Sequence, residues 1–347
     1  MALAPSGDAR PTLSGMVRSH LTLAALATSA VAGLDVVATA GFGSIAHGDF
    51  DSALITGRDG RHWIIRVPRS ESAEAEQSAD LVSLRALSTG VRSRLPFAVS
   101  TFAGQTPIND TRAVVYEFVY GSKVGLGDLH GREGLAASIG RAVAAIHSLP
   151  TSFVADAGLP VLTPVEILRS SVTIMDRASA TNLVPAALIG RWERAAEDSA
   201  LWQFAPTVIN GSLTAGSFLS AGNAVTGILG WNALSVGDPA HDLHWLLGAR
   251  GDSVAETALD PYTQARGSSD RQLTQRAMLY RELEIAKWLL HGTQEHSTVI
   301  VDDAVDMLHG LVDSVDGDLN QALSHNTMPI LAVDEVEALL DRTQRSY

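Results

Sequence analysis

Cysteine is absent from the 347 residues of this sequence. Disulfide bonds, thiolate nucleophiles and cysteine-ligated zinc or iron–sulfur sites are therefore excluded. Lysine is nearly absent as well, because Lys123 and Lys287 are the only two. Almost every fixed positive charge is consequently an arginine, whose planar guanidinium binds phosphate or carboxylate as a fork. Any cationic binding site in this chain must be an arginine site.

Positive charge and long apolar runs are also scarce. The chain has 25 basic against 38 acidic residues and a net charge of −13. Such a surface repels nucleic-acid backbones and anionic lipid headgroups, so we expect neither nucleic acid nor a membrane as a partner. The apolar run at residues 21–33 is shorter than the roughly 20 residues of a membrane-spanning helix. Because it leads directly into a predicted strand, it indicates an N-terminal amphipathic helix of a cytoplasmic protein rather than a secretory signal.

The rest of the composition is that of a globular chain, with 46% hydrophobic and 18% charged residues. Its length suggests two domains. Apolar patterning and turn residues predict a helix at 71–87 and strands at 34–39, 52–56, 62–67, 97–102 and 113–119. The order is three strands, one helix and two strands.

After Gly121 the pattern becomes helical. Apolar residues share one face of a helix that Pro150 ends, and further helices are predicted near 164–177, 185–199, 239–249, 271–291 and 302–314. Loop and strand pieces interrupt them once, between Pro206 and Leu234. We therefore expect two domains: residues 1–120, an N-terminal helix with a nucleotide-binding type of β lobe, and residues 121–347, a helical lobe that carries a degenerate catalytic loop.

Several segments are similar to known motifs. Residues 62–69, HWIIRVPR, resemble the third strand of the macrolide 2'-phosphotransferases; residues 114–121 resemble a kinase hinge, and residues 208–243 a catalytic segment. Together these segments identify the chain as resembling the aminoglycoside and macrolide phosphotransferases over roughly residues 34–290. The resemblance implies an α+β, bilobal, protein-kinase-like fold with a small five-stranded N-lobe and a larger, mainly helical C-lobe.

The catalytic positions of that family are altered here. The resemblance places Asn210 at the catalytic-loop histidine, Ser212 at the catalytic aspartate, and Ser217 and Gly230 at the two metal-binding positions. Phosphoryl transfer needs a carboxylate near the attacking hydroxyl and oxygen ligands for Mg²⁺. The sequence therefore predicts a catalytically impaired protein with no metal ligands at these positions, whose nucleotide binding depends little on Mg²⁺.

The nucleotide side of the resemblance is better preserved. It places Arg66 at the phosphate-pairing lysine, with Asp80 or Glu76 as its acidic helix partner, and Asp80 fits better by spacing. The hinge residues of the family bind a purine through backbone groups, and the resemblance carries this role to Glu117, Phe118 and Val119. We accordingly expect ATP or GTP as the cofactor. The alternative is that Arg66 is a surface residue.

Other polar groups have structural interpretations beside functional ones. His241 and His244 with Asp242 suggest a metal site, but the family aspartate at position 242 braces the catalytic loop. Asp238 before Pro239 is typical of a helix N-cap. The sequence His47-Gly48-Asp49 imitates a catalytic signature within a loop. Two glutamates of a late helix border a substrate cleft or, as the simpler interpretation, lie on a solvated face: Glu282 and Glu284.

Three functions remain open from the sequence. The first is an impaired phosphotransferase that binds a nucleotide or another small molecule. The second is an active ATP- or GTP-dependent enzyme that phosphorylates a small hydroxylated compound, such as an antibiotic. The third is an interaction module with a collapsed cleft, whose protein partner the sequence does not identify.

Overall fold

A computed structural model describes residues 18–43, 49–129, 132–248, 252–267 and 270–315. Its contacts divide the chain into two compact units. The first contains residues 1–167 and 204–271, and the second contains residues 168–203 and 272–347. The expected boundary between residues 120 and 121 lies within the first unit, and the division into lobes at that point stays a prediction.

The first unit begins with a helix and an antiparallel sheet. Helix α1 (His20–Ala30) is followed by β1 (Val36–Gly41), β2 (Phe50–Gly57) and β3 (His62–Pro68), and later by β5 (Phe102–Ile108) and β6 (Thr111–Glu117). These five strands form one sheet in the order β1-β2-β3-β6-β5. Helices α2 (Glu71–Ala86) and α3 (Thr89–Arg92) and the short strand β4 (Ala98–Val99) connect β3 to β5.

The sheet is covered on one face by α1. Leu23 and Ala27 of the helix pack on a buried cluster that includes Ile55, Ile65 and Val115 of the central strands. Side chains alternate between the two faces of a strand, so the neighbours Ile64 and Arg66 project from the opposite face. This alternation separates an apolar core face from a face that carries charge.

The fourth strand of the sheet differs from the prediction. Residues 97–102 were expected to form it, but the sheet contains Phe102–Ile108 instead, and Ala98–Val99 pairs in parallel with β10 (Ala224–Ile228). Strand β5 lies at the edge of the sheet, where Pro107 is tolerated because an edge residue needs no second hydrogen bond. Asn109, with φ of 50°, then makes the tight turn to β6.

The remainder of the first unit is a helix pair with short strands. Helices α4 (Glu133–His147) and α8 (Asp252–Arg266) are in close contact, and α5 (Ser152–Asp156) follows α4. Strands β7 (Ser122–Lys123), β9 (Phe218–Ala221) and β10 form a sheet with β4, while β8 (Thr207–Ile209) pairs with β11 (Ser235–Gly237). The helix predicted at 239–249 is instead two 3₁₀ segments, Pro239–Asp242 and His244–Gly248, and Asp238 caps the first of them as expected.

The second unit is helical. Its residues belong to the later part of α6 (Pro164–Ser179), to α7 (Ala186–Glu197), and to the neighbouring helices α9 (Leu273–Gln294) and α10 (Thr298–Val315). The expectation of a solvated or cleft-facing Glu282 is wrong. Its side chain is buried, with one oxygen accepting from the Arg191 guanidinium and the other from the Trp192 indole, each at 2.9 Å. Glu284 is partly exposed and pairs with Lys287.

None of the described helices is long and apolar enough to cross a membrane. The cytoplasmic location stays a prediction.

Candidate functional site

The loop between β8 and β9 is held in place by one buried carboxylate. Asp242 is fully buried, and its two oxygens accept hydrogen bonds from the backbone N–H groups of Asn210 and Gly211, each at 2.7 Å. Gly211 adopts φ of 82°, and a side chain there would meet the Ala233 carbonyl oxygen at 2.5 Å. The loop therefore needs glycine at this position, and Asp242 makes the bracing contacts that the family resemblance implied.

Asp242 is itself held by a buried chain of side chains. One ring nitrogen of His147 lies 3.2 Å from its Oδ2, and the other lies 2.9 Å from the Tyr262 hydroxyl. Burial raises the pKa of Tyr262 well above its ordinary value, so the phenol stays neutral. These contacts connect α4 and α8 to the loop. Neither His147 nor Tyr262 was predicted as a partner of Asp242, because residues 147, 242 and 262 are far apart in the sequence.

A network of hydrogen bonds between uncharged groups connects the loop to the segment that follows β10. The Ser212 hydroxyl lies within hydrogen-bond distance of two amide oxygens, Asn210 Oδ1 at 3.1 Å and Asn232 Oδ1 at 3.3 Å, and its single hydrogen is shared between them. Asn210 Nδ2 donates to the Gly230 carbonyl at 2.8 Å. The fold thus brings together three predicted positions, Asn210, Ser212 and Gly230, and adds Asn232, which the sequence analysis missed although it follows the Gly-Trp pair directly.

These residues do not fit a Mg²⁺ ion. Ser217 Oγ accepts from the Thr214 N–H at 3.1 Å and completes a capping box, and Gly230 offers no side-chain oxygen. Mg²⁺ in proteins is usually held by carboxylates and phosphates in octahedral geometry. No group of three or more histidine, aspartate or glutamate side chains in the described ranges is arranged to hold a metal ion, the histidines at 241 and 244 included.

A carboxylate of helix α2 binds the residue that follows Gly230. Asp80 is buried, and its Oδ1 accepts from the Trp231 N–H at 2.8 Å. Burial raises the pKa of Asp80, while the Trp231 N–H and the charge of Arg66 act in the opposite direction. Within the described ranges, Arg66 and Asp80 do not approach to the 4.0 Å of an ion pair. The other candidate partner, Glu76, is exposed.

Arg66 is in contact with an aromatic ring. Its guanidinium carbon lies 3.7 Å from the ring centroid of Phe50, on the neighbouring strand β2. Tyr116, on the adjacent strand β6, is buried near the same group, and burial together with the negative charge of Asp80 raises its pKa. The half-buried Arg66 therefore lies on the face of the sheet that carries charge, and its role toward a ligand stays a prediction.

The hinge segment follows β6. The Glu117 N–H donates to the Thr101 carbonyl at 2.8 Å and the Phe118 N–H to the His62 carbonyl at 3.0 Å. The N–H groups of Val119, Tyr120 and Gly121 have no hydrogen bond to the described residues. A cavity of about 400 Å³ adjoins the segment, and its walls include Ala98, Val99, Thr101, Glu117, Phe118, Val119, Tyr120 and Thr226.

An aromatic group flanks the same segment. Phe118 and Tyr120 have ring centroids 4.9 Å apart, and Phe42 at the end of β1 lies 6.2 Å from Phe118. His62 completes the group through Nδ1, 2.9 Å from the Tyr120 hydroxyl. These rings present an apolar surface next to the free Val119 N–H.

Comparison with known proteins agrees with this geometry. The model of the phosphotransferase enzyme family known as APH matches residues 45–280. An uncharacterized protein of Bacillus subtilis (strain 168), YcbJ, is 24% identical over 264 residues, which are 71% of this chain and 83% of the relative. The residues that match the family model include both the hinge and the loop between β8 and β9.

Solved structures share the fold. The macrolide 2'-phosphotransferase MphH from Brachybacterium faecium superposes with a TM-score of 0.69 at 21% identity, covering 84% of this chain and 98% of that one. The GDP complex of aminoglycoside 2'-phosphotransferase-IIIa gives a TM-score of 0.69 at 16% identity, covering 86% and 98%. The chain belongs to the phosphotransferase enzyme family, and the expected α+β, protein-kinase-like fold is confirmed.

Proposed function

We propose that this protein binds a purine nucleotide, ATP or GTP, in the phosphotransferase cleft and that it does not transfer the phosphoryl group by the carboxylate- and metal-assisted route. The observation that carries the proposal is the neutral network of Asn210, Ser212 and Asn232 at the centre of the catalytic loop. A serine hydroxyl whose hydrogen-bond acceptors are amide oxygens has no base to activate it, and it cannot itself accept a proton at neutral pH.

Two further features support the nucleotide. The free Val119 N–H lies beside aromatic rings, and Arg66 provides guanidinium donors for phosphate on the charged face of the sheet. Structural relatives carry GDP, as in aminoglycoside 2'-phosphotransferase-IIIa, or ADP, as in aminoglycoside phosphotransferase APH(2'')-Ib. Neither feature of this chain needs a metal ion, so binding should depend little on Mg²⁺.

A thermal-shift titration tests the binding half of the proposal. ATP and GTP are each added to the wild-type protein with Mg²⁺ and with EDTA, and the Arg66→Ala variant serves as the comparison. We expect a shift that is the same with and without the metal and that is reduced in the variant. A shift that requires Mg²⁺ contradicts the proposal and favours an active enzyme. The absence of any shift favours an interaction module with a collapsed cleft.

A radiolabelled-phosphate transfer assay tests the catalytic half. Macrolides and aminoglycosides are offered with ATP or GTP to the wild-type protein and to Ser212→Ala. We expect no transfer, because general-base assistance alone contributes about 10² to 10⁴ in rate. A wild-type turnover of about 1 per second, ordinary for a kinase, would contradict the proposal.

A restored variant provides the positive control for that assay. It combines Asn210→His, Ser212→Asp, Ser217→Asn and Gly230→Asp, and so returns the family side chains to all four positions. Gly230 has φ of 73°, which strains any other residue, but a Cβ atom there meets nothing within 4 Å. We expect nucleotide hydrolysis in this variant that wild type lacks.

A further inference from the structure

Arg66 is the cation of the proposed nucleotide site, and its surroundings show what orients it. In the antiparallel pair of β2 and β3, Ser52 lies opposite Arg66 and Phe50 lies opposite Pro68. Phe50 is thus the diagonal neighbour of Arg66 on the same face of the sheet, within reach of a long side chain. The guanidinium lies 3.7 Å from the ring centroid, at the distance of direct stacking.

The carboxylate that was expected to orient Arg66 has another partner. Asp80 accepts the Trp231 N–H, and Glu76 is exposed on the outer side of α2. The charge of Asp80 still acts on Arg66 through space, but no hydrogen bond between them directs the guanidinium plane. In the part of the chain that the structure describes, the orientation of Arg66 therefore depends on its contact with Phe50.

Stacking and ion pairing leave different groups available. A carboxylate occupies the N–H edge of a guanidinium, whereas an aromatic ring covers only its face. The N–H edge of Arg66 is consequently available for a bidentate contact with phosphate. Arg61 shows the other case: it lies 5.3 Å from the Trp63 ring centroid, but Glu117 occupies its edge.

We propose that Phe50 is the positioning residue of the phosphate site, holding the guanidinium of Arg66 by its face so that the edge meets the phosphate groups of the ligand. This role rests on the proposed nucleotide binding and specifies how the anionic part of the nucleotide is recognised without a metal ion.

Calorimetric titration of the full chain with adenosine, AMP, ADP and ATP in EDTA tests the role. We expect Phe50→Leu to weaken ADP and ATP binding about three- to tenfold, the range of a partly exposed cation–π contact, and to leave adenosine binding unchanged. Phe50→Tyr keeps the ring and should restore wild-type affinity. Phe102→Leu is the matched control, because Phe102 faces Arg85 at 5.9 Å and should leave all four affinities unchanged.

The outcomes separate positioning from general support of the fold. An equal loss for adenosine and ADP in Phe50→Leu would mean a structural role only, and an unchanged ADP affinity would mean no role; either result overturns the proposal. A failure of Phe50→Tyr to restore binding overturns it as well.

A second measurement keeps the proposal testable if no nucleotide binds. Inorganic pyrophosphate is titrated into isotopically labelled protein while the Arg66 Nε–Hε signal, assigned with Arg66→Lys, is followed by NMR. We expect the ring current of Phe50 to shift this signal in the free protein, and pyrophosphate to move it with weaker affinity in Phe50→Leu. If nucleotides fail and pyrophosphate succeeds, the proposed function is wrong and the positioning role stands. If the signal responds neither to pyrophosphate nor to Phe50→Leu, the positioning role is wrong.

Discussion

The buried side of the loop between β8 and β9, which contacts Asp242, differs in charge from the side that carries Ser212. Below the loop, Asp242 is a fully buried carboxylate with hydrogen bonds to two backbone N–H groups and a contact with His147. In the same loop Ser212 and Ser217 carry no charge, and neither does Gly230 in the segment after β10. The difference shows that the conformation of a loop and its catalytic chemistry depend on different residues. The conformation needs the buried carboxylate but not the catalytic groups. The structure shows the groups that hold the loop, and the proposed loss of phosphoryl transfer concerns only the uncharged positions.

Removing the anchor should have the largest effect. We expect Asp242→Asn to lower the free energy of unfolding by about 3 to 5 kcal/mol, because the amide presents only one oxygen to two N–H donors and leaves buried partners unsatisfied. Urea denaturation measures the change, with Asp156→Asn as an exposed control that should differ little from wild type. A loss below about 1 kcal/mol would show that the loop does not depend on this carboxylate.

The packing of the two anchoring helices is the next test. Gly140 of α4 faces α8 so closely that a Cβ atom would lie 1.9 Å from the Ala258 carbonyl oxygen. Gly140→Ala should therefore cost about 1 to 3 kcal/mol, even though alanine favours helices. Gly310→Ala on α10 meets nothing within 4 Å and should be neutral or stabilising. Equal melting temperatures for the two variants would contradict the close approach.

The outer link of the anchor should contribute less. Tyr262→Phe removes the hydroxyl beside His147 and should lower the free energy of unfolding by about 1 kcal/mol, the usual value of one hydrogen bond. Tyr120→Phe removes a hydroxyl from an exposed side chain and should change stability by less than about 0.5 kcal/mol. The order of the two losses in urea denaturation decides whether the buried chain matters.

Substitution at the position of the family's catalytic aspartate should change the free energy of unfolding very little. Ser212→Ala removes a half-buried donor whose acceptors, Asn210 and Asn232, keep other contacts or water, so we expect a change within about 0.5 kcal/mol. A loss as large as that of Asp242→Asn would mean that the neutral network also supports the fold, and the contrast between the two parts of the loop would disappear.

Asp80 offers the finest test, through pH. Its pKa is raised in the folded protein by burial, so folding favours the protonated form. The contribution of Asp80 to stability is therefore fully present below the unfolded pKa of about 3.9 and is lost as pH rises through the folded pKa. Relative to Asp80→Asn, wild type should become less stable as pH rises from about 4 towards neutrality. A constant difference across this range would contradict the raised pKa.

The sequence predicted most of the fold because the fold depends on local patterns. Apolar alternation located β2, β3 and β6, and the motifs located the hinge and the loop. The fourth strand was misplaced because β5 contains Pro107 and few apolar residues, features that only its edge position permits. Glu282 was expected at a substrate cleft or on a solvated face, because a helix sequence does not reveal that Arg191 and Trp192, about 90 residues earlier in the chain, bind and bury it.

The candidate site was predictable in its identities but not in its contacts. Motif spacing located Asn210, Ser212, Gly230 and Arg66. The contacts of these residues involve other elements of the fold. Asp80 accepts a hydrogen bond from the Trp231 N–H, and the Arg66 guanidinium stacks on the Phe50 ring. These contacts depend on which groups the folded chain places within a few ångströms of each other. Several side chains of similar chemistry could make each contact. One sequence without its structure does not show which of them makes it.

The Asn210-Gly211 pair has a consequence for the chemical ageing of the protein. Asparagine followed by glycine degrades when the glycine nitrogen attacks the asparagine side-chain carbonyl and closes a succinimide ring, with loss of ammonia. Here that nitrogen is engaged with Asp242, and the Asn210 amide is held by Gly230. The folded chain therefore protects its most labile dipeptide from deamidation, and only molecules that unfold accumulate the extra negative charge at this loop.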